Sequence, residues 1–147
     1  MSKSEEELRK LSVELRLLEQ TAENLQSRIS MVNAVITDLA YASMALEGLE
    51  KEKEDSELLV PIGGNSYIKT KLANQDNVIV GMGAGVSVEK TLDEAKEIVK
   101  KRIENLEKTR MSLQQQLAQI ADKIEEGREK FESIVAALKE GKASQNV

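Results

Sequence analysis

The chain has 147 residues, 21 of them basic and 26 acidic, for a net charge of −5. It contains no His, Cys or Trp, so it lacks a thiol nucleophile, an imidazole base and nearly all soft metal ligands, and it forms no disulfide. Aromatics at 2% and charged residues at 32% suit long helices better than a thick core, and the acidic balance argues against nucleic acid and anionic lipid as partners.

Ser4-Glu5-Glu6-Glu7 has the spacing of a capping box, which opens a helix predicted over residues 4–54. Along it, apolar residues recur at alternating steps of three and four: Leu8, Leu11, Leu15, Leu18, Ala22, Leu25, Ile29, Val32, Ile36, Leu39 and Leu46, with Ser43 and Glu50 as the two polar members. That regularity is a heptad seam, and a rod of this length spans on the order of 70 Å. Neither end shows a signal-peptide pattern, and no apolar run is read as approaching the roughly 20 residues of a membrane span. A cytoplasmic location is expected.

From Leu58 the period changes to two. Leu58–Ile62 reads as a strand whose only Pro, Pro61, marks an edge or bulge. Gly63-Gly64-Asn65 supplies a turn, and Ser66–Leu72 a second strand. After a loop at 73–77, Val78–Met82 and Val86–Lys90 flank a glycine-rich bend and complete a second hairpin. The insert is therefore two β-hairpins over residues 58–90. A second helix opens at the capping box Thr91-Leu92-Asp93-Glu94 and runs over residues 91–140, with Gly141 as its stop and a flexible polar tail over 141–147. Its seam is Val99, Ile103, Leu106, Arg110, Leu113, Leu117, Ile120, Ile124, Gly127, Phe131, Ile134 and Leu138. Arg110 is expected to snorkel to water; Gly127 either loosens the coil or is neutral there.

The fold class that follows is α+β: a long antiparallel two-helix coiled coil joined by two hairpins, with the chain ends at one tip and the hairpins at the other. Four short strands without a covering helix are marginal in water. Leu59, Val60, Ile62, Ile68, Val78, Val80, Val86 and Val88 are accordingly expected to bury against hairpins of other subunits. At the opposite end, Val13, Leu17 and Val135 fall off the seam and join Leu8, Leu11, Phe131, Ile134 and Leu138 in an apolar tip patch. Tyr41, Met44 and Ile98 also lie off the seam, and packing against the β-structure is expected for them.

No enzymatic constellation emerges. Gly81-Met82-Gly83-Ala84-Gly85 is followed by a strand rather than the helix a dinucleotide loop requires, and no cofactor or metal is expected. The acidic residues lie on solvated helix faces, as does Lys100-Lys101-Arg102.

The stretches Leu59-Val60-Pro61-Ile62-Gly63-Gly64-Asn65-Ser66-Tyr67 and Val78 to Thr91, set between two heptad helices, resemble the alpha class of archaeal prefoldin. The resemblance covers nearly the whole chain. It implies a hetero-hexamer of two alpha and four beta subunits, whose hairpins assemble into a β-barrel platform. It also implies an ATP-independent holdase that captures unfolded polypeptides at coil tips and passes them to a group II chaperonin. A coiled-coil scaffold or tether without affinity for unfolded chains is the alternative, separated by whether the tip is apolar.

Overall fold

A computed structural model describes residues 2–145, with side chains placed through Lys142. The element order is α1 (Lys3–Lys51), β1 (Glu57–Gly63), β2 (Ser66–Lys71), β3 (Asn77–Gly83), β4 (Val86–Thr91) and α2 (Leu92–Gln145). The chain divides into two compact units, Met1–Asn33 with Lys108–Val147, and Ala34–Glu107.

The heptad stepping holds throughout the helices. Every apolar seam position named above is buried or half-buried, and Leu11, Leu25, Leu46, Val99 and Leu113 are the most enclosed. Glu50 departs from the seam: it is exposed and pairs with Lys96, and Leu49 turns inward beside it. Half-burial is what a two-helix coil provides, since each seam residue is roofed by one partner helix only. In the first unit Arg110 is half-buried, and at the surface its Nη1 donates to Oδ1 of exposed Asn33 on α1 at 3.2 Å.

The helix ends differ from expectation in ways local hydrogen bonding explains. Ser2, not Ser4, caps α1: its Oγ accepts from the Glu5 amide at 3.2 Å. Both serines have a Glu three residues on, so spacing alone does not choose between them. The helix ends at Lys51 because the Glu52 amide tightens onto the Leu49 carbonyl, the Lys53 amide donates to Ser56 Oγ, and Asp55 takes a left-handed conformation (φ 66°). At α2 the capping box is made in both directions, with the Thr91 amide to Glu94 Oε2 and the Glu94 amide to Thr91 Oγ1, each 3.2 Å. Gly141 does not stop the helix. Its φ stays out of the left-handed region and α2 continues to Gln145; a glycine costs about 1 kcal/mol of helix propensity but ends a helix only where the chain must turn. Of the expected tail, Asn146 and Val147 lie outside the described residues.

Within α1, residues 29–46 do form a stretch long and apolar enough to cross a membrane by length and composition, contrary to the sequence expectation. The positions between its seam residues are filled mostly by Ala, Ser, Thr, Met and Val, with Asn33 and Tyr41, and Asp38 is its single charge. The seam nevertheless persists through it, with Ile29, Val32, Ile36, Leu39 and Ser43 half-buried and Leu46 buried.

The two hairpins are copies of one another, displaced by 20 residues. Val60 pairs with Ile68 as Val80 pairs with Val88, and both ladders shift register at the same place, leaving Ile62 and Met82 without partners. Both turns carry three successive left-handed residues, Gly63-Gly64-Asn65 and Gly83-Ala84-Gly85. Each hairpin closes with a leucine amide, Leu72 onto the Ser56 carbonyl and Leu92 onto that of Asp76, both at 2.9 Å.

Their surroundings differ. Val80 lies in a cluster with Leu46, Ala95 and Val99, against which Leu39, Val78, Leu92, Ile98 and Ile103 pack. The expectation that Val78 and Val80 await another subunit is therefore corrected: Val80, 9% exposed, and half-buried Val78 are covered by this chain's own helices. The seam residues Leu46 and Val99, with Ala95 from the first turn of α2, supply that cover. Ile98 joins that cluster as expected, whereas Tyr41 and Met44 remain exposed on the far side of α1.

Candidate functional site

Two apolar surfaces are available for function, one in each unit. In the second unit it is the hairpins. Cross-strand partners share a face, so Val60 and Ile68 form one face of the first hairpin, and Leu59 with Lys69, then Pro61 with Tyr67, the other. Leu59, Val60, Ile62, Ile68, Val86 and Val88 are all exposed in the single chain, Val60 at 44%. Tyr67, Ile79 and Met82 are exposed apolar side chains of the hairpins as well, and they escaped the sequence reading. Ile79, 77% exposed, is the clearest case: alternation puts it opposite Val78 and Val80, so the burial of those two dictates its exposure. Burying a branched or long aliphatic side chain is worth about 1.5–3 kcal/mol, and here at least six stand in water.

In the first unit the eight expected tip residues fall into three groups. Leu11 is buried in the seam. Leu8, Phe131, Ile134, Val135 and Leu138 are half-buried. Val13 and Leu17, at 52% and 57% exposure, sit four residues apart on one face of α1. Leu15 occupies the space that Gly127 leaves open: a Cβ at that position would stand 2.6 Å from Leu15 Cδ2 and 3.8 Å from Leu11 Cδ1. Beside this contact lies a groove of about 290 Å³ lined by Leu15, Arg16, Glu19, Arg128 and Phe131. Ion pairs Arg128–Glu19 (3.0 Å) and Lys130–Glu7 (3.6 Å) bridge the two helices at the surface. Exposed pairs of this kind contribute at most about 1 kcal/mol each, so they set register more than stability.

Small apolar contacts on a solvated coil, and a larger apolar surface on two hairpins, suit association with other polypeptides. The prefoldin subunit family model matches residues 18–137. Prefoldin subunit alpha of Methanosarcina mazei is 33% identical over 146 residues, covering 97% of this chain and all of that protein. The alpha subunit of Pyrococcus horikoshii is 31% identical over 135 residues, covering 91% of each chain. Among solved structures, filamentous PFD from Methanocaldococcus jannaschii, seen by cryo-EM, aligns with a TM-score of 0.67 at 28% identity, covering 76% of this chain and 93% of its own. Two heptad helices, two β-hairpins and these relatives together make the chain a member of the prefoldin family, of the kind represented by its alpha subunits.

Proposed function

We propose that this chain is the alpha-type subunit of a cytoplasmic, ATP-independent holdase that captures unfolded polypeptides at its coil tips, prevents their aggregation and delivers them to a group II chaperonin. In this reading two copies assemble with four beta-type subunits. Their hairpins close into a β-barrel platform through Leu59, Val60, Ile62, Ile68, Val86 and Val88, and six coils project from it.

The exposure of Val13 and Leu17, four residues apart in the first unit, carries the proposal; Met31, Val35 and Met44 are further exposed apolar side chains along α1. An unfolded client presents apolar segments of no fixed sequence, so shallow and adaptable contacts serve better than a deep pocket. Phe131, Ile134, Val135 and Leu138, half-buried, widen the patch as the coil end opens, and Leu8 and Leu11 follow if it opens further. Individually weak tips on one platform bind by avidity, since after the first contact the others act at high effective concentration. Each contact remains weak enough to release in turn, which suits hand-over without nucleotide.

Light scattering of a chemically denatured client tests this, with assembled complex containing either full-length chain or a chain lacking residues 1–17 and 131–147. Suppression by the first and not the second is the expected result. Equal suppression by both moves binding away from these residues. Suppression by neither leaves a scaffold in place of the holdase.

A further inference from the structure

Within the unit of Met1–Asn33 and Lys108–Val147, a groove of about 520 Å³ opens along the side of the helix pair. Leu25, buried in the seam, and half-buried Ile120 give it an apolar base, and exposed Leu17 adds to it. Around them stand four carboxamides, Gln20, Asn24, Gln116 and Gln119. Arg28 is the only charged side chain in the lining and no carboxylate reaches it, although acids outnumber bases along the chain. Nearby grooves on the same unit are different: Glu19 and Glu132 line one, and Glu125, Glu129 and Glu132 another.

The polar groups here are mostly uncommitted. Thr21 donates its hydroxyl to the Leu17 carbonyl (3.0 Å), and Gln116 donates to Ser112 Oγ (3.3 Å). The side-chain amides of Gln20, Asn24 and Gln119 have no partner among the described residues.

We infer that this groove binds the main chain of an extended client segment, as a second contact beyond the tip patch; the inference rests on the holdase reading above. A carboxamide offers both donor and acceptor, as does each peptide unit of an extended chain. A carboxylate only accepts, and an ammonium or guanidinium only donates. Carboxamides therefore hydrogen-bond any sequence with an accessible backbone, and a folded client has none to offer because its amides are already paired. The apolar base receives alternate side chains, since in an extended segment every second residue points the same way. Freedom from carboxylates spares the groove the repulsion of acidic clients that the rest of this acidic surface imposes. The groove so distinguishes unfolded from folded polypeptide by main-chain accessibility, while the tip does so by apolarity.

Fluorescence anisotropy with the assembled, full-length protein tests this. The probe is a labelled peptide of alternating Leu and Ser flanked by lysines, and its counterpart N-methylated at every second amide, which keeps the side chains and removes donors. The unmodified peptide is expected to bind about tenfold more tightly, the yield of one to two hydrogen bonds. The variant Gln20→Leu/Asn24→Leu/Gln119→Leu, which keeps good helix formers and enlarges the apolar base while removing the carboxamides, is expected to bind both peptides alike while retaining its circular dichroism and elution volume. Equal binding of the two peptides by the parent protein, or persistent discrimination by the variant, overturns the inference while leaving the tip reading intact. Failure of the parent protein to bind either peptide overturns both.

Discussion

Gly127 sits where a seam residue belongs, and replacing it by alanine weighs two opposed effects in one place. Alanine gains about 1 kcal/mol of helix propensity over glycine. The added methyl would stand 2.6 Å from Leu15 Cδ2 and 3.4 Å from Leu15 Cγ, so Leu15 must move. The obstructing atom is the far end of a half-buried side chain, and the groove of about 290 Å³ alongside leaves room for it. Shifting Leu15 to a less favourable rotamer costs about 0.5–1.5 kcal/mol, and the buried methyl returns about 0.8 kcal/mol. Gly127→Ala should therefore stabilise the coil by about 0.3–1.3 kcal/mol. Thermal melts followed at 222 nm would register this as a small upward shift. Leu15→Ala alone should cost about 2 kcal/mol. In the double variant the alanine at 127 should then deliver its full propensity gain, because the obstruction is gone. A Gly127→Ala variant more than about 1 kcal/mol less stable than the parent would refute the reasoning, as would a gain no larger in the double variant. Either result would mean that the backbones, not the Leu15 side chain, set the helix separation.

The duplicated hairpins supply their own control for strain: Ala84, at φ 53°, occupies the place that Gly64 holds in the first copy. Ala84→Gly should raise stability by about 0.5–1 kcal/mol, the left-handed penalty less the added freedom of the unfolded chain, measurable by denaturant titration. Val80→Ala should cost about 2 kcal/mol in the same titration, from two lost methyl groups and the small void they leave among Leu46, Ala95 and Val99. Ile68→Lys, on the uncovered hairpin, should leave helix content unchanged and instead shift sedimentation toward smaller species; retention of the parent's assembly would remove Ile68 from the proposed platform.

Much of the molecule is legible in one dimension. A heptad reports the buried stripe because the helical period ties each position to a direction, and each apolar seam residue from Leu8 to Leu138 is enclosed to some degree. The capping box at Thr91 and both turns follow from local chemistry too, since glycine and asparagine tolerate the left-handed backbone the bends need. The Ser2 cap and the continuation through Gly141 were harder to read, because neighbouring serines compete for one cap and a lone glycine stops a helix only when the chain has somewhere to turn. The candidate tip residues divide similarly: Val13 and Leu17 are exposed because they fall off the stripe, which the pattern states, whereas the pairing that joins Glu19 to Arg128 and Arg110 to Asn33 depends on the register of two helices distant in sequence.

The hairpins mark the boundary most clearly. Leu58-Leu59-Val60 and Val78-Ile79-Val80 carry the same alternation, the same pairing and the same turn, so period and propensity predict both hairpins and treat them alike. Composition and alternation alone thus determined that two such hairpins exist and that each has an apolar face. Which one is covered was decided in three dimensions: Val80 meets Leu46, Ala95 and Val99, while its counterpart Val60 meets no such cluster and stays exposed. Burial is a property of what arrives from elsewhere in the chain, and two segments with identical local instructions part company when only one of them receives a neighbour.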